Sequence, residues 1–95
     1  MSQPEARLSR QIMAALRERG AFVWKNHGGP TMMSGLPDIA GVWHGKFIAI
    51  ETKMPGNNPS AIQERRIAEI RAAGGRVVVA HSVAEALTVL RPRRD

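Results

Sequence analysis

Cysteine is absent from the 95-residue chain. Its absence excludes disulfides and cysteine-rich zinc sites, and it fits a reducing compartment such as the cytoplasm. No apolar run approaches the ~20 residues a membrane helix needs, which argues against a membrane role. The opening Met-Ser-Gln-Pro-Glu carries no signal-peptide pattern. No spacing of the histidines suggests zinc. There is no internal repeat and no domain boundary, so one domain over residues 1–95 is expected. So short a body buries a modest share of its surface and is marginal alone, which makes dimerisation an expectation. Acids are scarce: 8 Asp and Glu stand against 14 Lys and Arg, for a net charge of +6. That excess favours a polyanionic partner; a basic protein with no such partner is the plainer alternative.

Ser2-Gln3-Pro4-Glu5 reads as a helix start, with proline in the first turn and glutamate three residues after serine. Leu8, Ile12, Ala15 and Leu16 recur at helical spacing, and Gly20 ends the run. Ala21–Lys25 reads as a strand, and the glycine-rich residues 27–37 as a mobile loop. Ile39–Trp43 and Lys46–Thr52 form two strands around a tight His44-Gly45 turn. Asn58 reads as the cap of a second helix with Pro59 at its first position; Gly74-Gly75 closes it after about Ala73. Val77–Ala80 has the composition of a strand buried on both faces. Ser82 caps a last helix carrying Val83, Ala86, Leu87 and Leu90, and the basic tail 91–95 is expected to be disordered. The order α-β-β-β-α-β-α gives an α/β fold, a mixed sheet flanked by helices with one parallel pairing in its β-helix-β unit.

Pairing Trp43 with Lys46 carries the hairpin register on to Asp38 opposite Glu51. Their β-carbons would lie about 5 Å apart. Glu51 and Lys53 share a face because strand side chains alternate. Two carboxylates ~4 Å apart repel by about 4 kcal/mol at an effective dielectric near 20. A shared proton, the lysine or a divalent cation must offset that. Hard cations such as Mg²⁺ take one or two carboxylates and keep several waters. Lys53 can stabilise charge on a reacting phosphate or orient a water. A lone Glu-x-Lys is also an ordinary surface ion pair; Pro37-Asp38 at the matching hairpin position gives it meaning. On the second helix Gln63, Ile67 and Ile70 share a face. Gln63 is then either a polar group turned to the sheet, able to bond a water, a phosphate or Lys53, or a boundary residue reaching solvent. Glu5 shares the first helix's apolar stripe; it is either partnered there or a first-turn acid favoured by the helix dipole.

Gly35-Leu36-Pro37-Asp38, then Glu51-Thr52-Lys53, then Gln63 on the following helix, resembles the PD-(D/E)xK nuclease superfamily, and within it the VRR-NUC family in its short form. The likeness runs from Glu5 to about Leu90, and the Gly74–Val79 segment follows the same pattern. It implies a restriction-endonuclease-like αβββαβ core. It also implies Mg²⁺ or Mn²⁺ held by Asp38, Glu51 and the Thr52 carbonyl, with Glu5 as an extra ligand, direct or through water. Lys53 would be the catalytic lysine and Gln63 an active-site helix residue. The implied activity is DNA phosphodiester hydrolysis. Short members resemble Holliday junction resolvases, which are homodimers acting on branched DNA.

Lys25, His27, Arg65 and Arg66 are candidate DNA contacts; each is also readable as an ordinary loop or surface group. His44 and His81 read as structural. Trp24 and Trp43, on apolar strands, read as core or interface residues, and Met32, Met33 and Leu36 as packing at an interface or on the sheet. The reading is therefore a Mg²⁺- or Mn²⁺-dependent DNA endonuclease. Its rivals are a nuclease without structure specificity, a non-catalytic DNA-binding module with a nuclease fold, and an enzyme acting on RNA or nucleotides.

Overall fold

A computed structural model describes residues 3–91. Ser2 of the expected helix start and residues 92–95 of the expected tail lie outside them. Helix α1 spans Pro4–Glu18, with Pro4 in its first turn. The expected serine cap is not what starts it: Gln3 occupies the cap position and makes no side-chain cap bond. Ile12 and Leu16 are fully buried, and Leu8 packs beside them. Strands β1 (Phe22–Lys25), β2 (Ile39–Trp43) and β3 (Lys46–Thr52) follow. Helix α2 runs Ala61–Ala72, β4 Arg76–Ala80, and α3 Val83–Leu87 leads into a 3₁₀ turn at Thr88–Leu90.

The sheet order is β1-β2-β3-β4, with the first two pairings antiparallel and β3–β4 parallel. Trp43 pairs with Lys46 and Ile39 with Ile50, the register that carries on to Asp38 and Glu51. His44 (φ 49°) and Gly45 (φ 77°) both take left-handed backbone at the turn, which matches the twist of the flanking strands. Alternation along the strands sorts the side chains onto two faces. Val23, Ile39, Ile48, Ile50 and Ala80 meet α1, α3 and the 3₁₀ turn. Ala40, Ala49 and Val77 meet Ile67 and Ile70 of α2.

Two further expectations are corrected. Helix α2 begins two residues later than the Asn58-Pro59 reading, because Ser60 caps it. The Ser60 hydroxyl accepts from Gln63 N while Gln63 Oε1 accepts from Ser60 N, a reciprocal capping box. Strand β4 is covered on both faces but lies at the sheet's edge, so Val78 and Val79 are only partly buried. Ser82 caps α3 as expected, accepting from Glu85 N.

Candidate active site

The site forms where β2 begins and β3 ends. Asp38 is fixed from three sides. Its carbonyl accepts from Asn26 N at 2.7 Å, its Oδ2 accepts from Thr52 N at 3.0 Å, and Asn26 Nδ2 donates to the carbonyl of Pro37 before it. Trp24 Nε1 in turn donates to Asn26 Oδ1 at 3.0 Å. Sequence reasoning missed Asn26; its position at the end of a strand, opposite the Pro37-Asp38 step, was the available signal. Gly35 lets the preceding loop reach this place: its φ is +79°, and a β-carbon there would sit 2.9 Å from Ile62 of α2.

Glu51 points to the α2 face and is 1% exposed. Lys53 Nζ lies 3.6 Å from Glu51 Oε2, and Gln63 Nε2 donates to the same oxygen at 3.2 Å. Gln63 is thus held at both ends of its amide, oxygen on the helix cap and nitrogen on the acid. Burial raises the Glu51 pKa from 4.5 to about 7, and repulsion from Asp38 adds to the rise; Lys53 works against both. Glu51 Oε1 is buried and has no hydrogen-bond partner among the described residues. Two adjacent carboxylates, one with a free buried oxygen, form an all-oxygen donor set suited to a hard divalent cation. Asp38, Glu51 and the Thr52 carbonyl are therefore a fitting group of ligands.

The structure brings Asp38, Glu51, Thr52, Lys53 and Gln63 together. Glu5 it leaves apart: α1 packs on the opposite face of the sheet, and among the described residues no three acids or histidines gather as a metal cluster. Lys25 turns to α1, where its Nζ bonds Ser9 Oγ at 3.0 Å. Arg66 has a structural engagement, donating to the Ser34 carbonyl at 2.9 Å and pairing with Glu69 at 2.7 Å. Arg65 is 72% exposed, with a loose 3.8 Å pairing to Glu69. His27, on the loop, lines a cavity of about 340 Å³ together with Met32, Met33, Asp38 and Gln63. His81 is structural, its ring nitrogens against the Asn57 carbonyl and the Glu85 carboxylate, which together raise its pKa.

The family model of the VRR-NUC domain matches residues 1–84. The chain belongs to the VRR-NUC family. A solved VRR-NUC domain superposes with a TM-score of 0.79 at 22% identity, over 94% of this chain and 96% of that one. The Holliday junction resolvase Hjc of Archaeoglobus fulgidus superposes with a TM-score of 0.62 at 24% identity, over 79% of this chain and 65% of Hjc. This VRR-NUC chain thus spans somewhat less than two thirds of Hjc's length. No curated protein matches its sequence. The fold is that of a nuclease domain. No helix among the described residues is long and apolar enough to cross a membrane.

Proposed function

We propose that this VRR-NUC domain is a metal-dependent DNA endonuclease that acts on branched DNA as a homodimer. The observation that carries the reading is the pairing of Asp38 with a buried Glu51 whose Oε1 lacks a partner, beside Lys53 and Gln63. Asp38, Glu51 and the Thr52 carbonyl would hold Mg²⁺ or Mn²⁺. When bound, such a cation lowers the pKa of a water and draws charge from a phosphate oxygen. Lys53, 18% exposed, stands at the mouth of the site and offers its ammonium to the charge that develops on the phosphate in transition. Gln63 keeps the Glu51 carboxylate in one orientation. Thr52 N does the same for Asp38. The loop with His27 borders the open side and is the natural path for the DNA backbone.

Dimerisation is supported by apolar side chains on the α2 face of the sheet beyond the reach of α2. Phe22 (71% exposed) and Trp24 stand edge to face, with Val42 and Phe47 on the same side. Branched DNA as substrate is supported by the likeness to Hjc. The test is cleavage of end-labelled four-way junction, flap, duplex and single strand with Mg²⁺, Mn²⁺ or chelator, with Lys53→Ala as control. Paired cuts in the junction alone, lost with chelator and in the variant, are expected. Metal-dependent cleavage that persists in Asp38→Ala, Glu51→Ala and Lys53→Ala alike would overturn the assignment. DNA binding with no cleavage under any metal would make the domain a binding module.

A further inference from the structure

Along the free edge of β4, Arg71, Arg76 and Arg91 line one cavity of about 270 Å³. Arg71 reaches it from the last turn of α2, where its Nη2 donates to the Val77 carbonyl at 2.8 Å. Arg76 opens β4, and Arg91 follows the 3₁₀ turn, from which Thr88 and Val89 also line the cavity. No carboxylate is among the described residues around it. Nη1 of Arg76 is buried and has no hydrogen-bond partner among the described residues. Arg76 is half-buried, and a charged donor left there without an acceptor is unfavourable. An anion presenting several oxygens removes that penalty, and the planar guanidinium fork matches phosphate best.

We propose that this edge of β4 is a second phosphate-binding site, separate from the acids and Lys53, which takes a phosphate of the nucleic acid backbone. The phosphate chemistry stands on the arginines alone; the nucleic acid source rests on the function proposed above. In the ladder Arg76 pairs with Ile48, three residues before Glu51 on β3. That is roughly 10 Å along the strand. By alternation Arg76 lies on the α1 side with Val78, whereas Glu51 lies on the α2 side. One phosphate cannot touch both places. The two sites hold different points of a DNA that passes around the β4 edge.

Two measurements in chelator test this. The first is thermal melting in inorganic phosphate against chloride at equal ionic strength. Phosphate is expected to raise the melting temperature of the wild type and of Lys53→Ala, and to lose that effect in Arg76→Gln and Arg91→Ala. The second is the salt dependence of junction binding, whose slope should become shallower by about 1 in each arginine variant. Arg91 is exposed, so Arg91→Ala carries the test if Arg76→Gln does not fold. Equal stabilisation by phosphate and chloride, or full phosphate stabilisation in both variants, overturns the site. A lost phosphate effect with an unchanged DNA slope keeps a site for free phosphate and overturns its nucleic acid source. If no form binds DNA while the phosphate effect survives, the proposed function fails and the arginine site stands.

Discussion

On the α1 face of the sheet, Ile12, Leu16, Ile39, Ile48 and Ile50 are wholly shut from solvent, and Val89 of the 3₁₀ turn closes the layer. On the α2 face, the buried cluster is small, built on Ala40, Ala49, Ile67 and Val77. The same face carries Glu51 inside, Lys53 at its margin, and Phe22, Trp24, Val42 and Phe47 exposed. Apolar burial contributes about 25 cal/mol per Å², so the first face supplies most of the stability. The second carries groups that are unfavourable without a partner. A short chain has divided its sheet into a face that holds it together and a face that carries the candidate site.

The largest effects should separate these faces. Ile50→Ala removes a fully buried side chain at a cost of about 2–5 kcal/mol, enough to unfold much of a marginal domain and its activity together. Lys53→Ala should lower cleavage by at least about 100-fold while the protein melts within a few degrees of wild type. Circular dichroism and a cleavage assay check both, and an Ile50→Ala protein that melts normally would break the division.

Next in size is the buried acid. Glu51 titrates near 7 in the folded protein against 4.5 when free. Between those values the folded state keeps a proton that the unfolded chain has released, so stability falls as pH rises through that window and stays lower above it. In chelator, Glu51→Gln should therefore stabilise the protein by on the order of 1–3 kcal/mol near pH 8 and by little near pH 4. Denaturant melts across pH read this directly; a variant less stable than wild type near pH 8 would mean the acid is not a liability there.

Smaller again, Gln63→Ala removes half of the capping box and the bond to Glu51. It should cost about 1 kcal/mol of stability and roughly tenfold in cleavage, with Gln63→Glu recovering the cap and not the activity. The smallest effect on folding should come from Phe22→Ser, within about 0.5 kcal/mol because the side chain is exposed. Sedimentation should nonetheless show the dimer weakened; an unchanged dimer would move the interface off this face.

Much of this arrangement was legible in the chain. The alternation of β2 and β3 around His44-Gly45 fixed the register, and with it the meeting of Asp38 and Glu51. The spacing of Gln63, Ile67 and Ile70 offered the sheet side as one of two places for the glutamine, and it is from that side that it reaches Glu51. The start of α2 was misread because Asn58-Pro59 is a strong local signal, yet Ser60 with Gln63 three residues on makes two reciprocal bonds. Arg66 and Lys25 read as candidate DNA contacts or ordinary surface groups; both are engaged by partners distant in sequence, Ser34 and Ser9, which spacing alone does not reveal. The edge position of β4 was hidden for the same reason, since a β-branched run looks alike in the middle of a sheet and at its rim.

Lys53 N donates to the carbonyl of Ala80 at 3.0 Å, and Thr52 pairs with Ala80 in the ladder. The segment bearing the acid and the lysine is thus framed by a strand laid down almost thirty residues later. A growing polypeptide has both carboxylates and the lysine long before it has β4. Parallel pairing of this kind forms late, because a long loop must close first. A half-made chain on the ribosome, or one released too early, carries Asp38, Glu51 and Lys53 without the frame that aligns them. In a nuclease domain built this way, completion of synthesis is itself the safety catch.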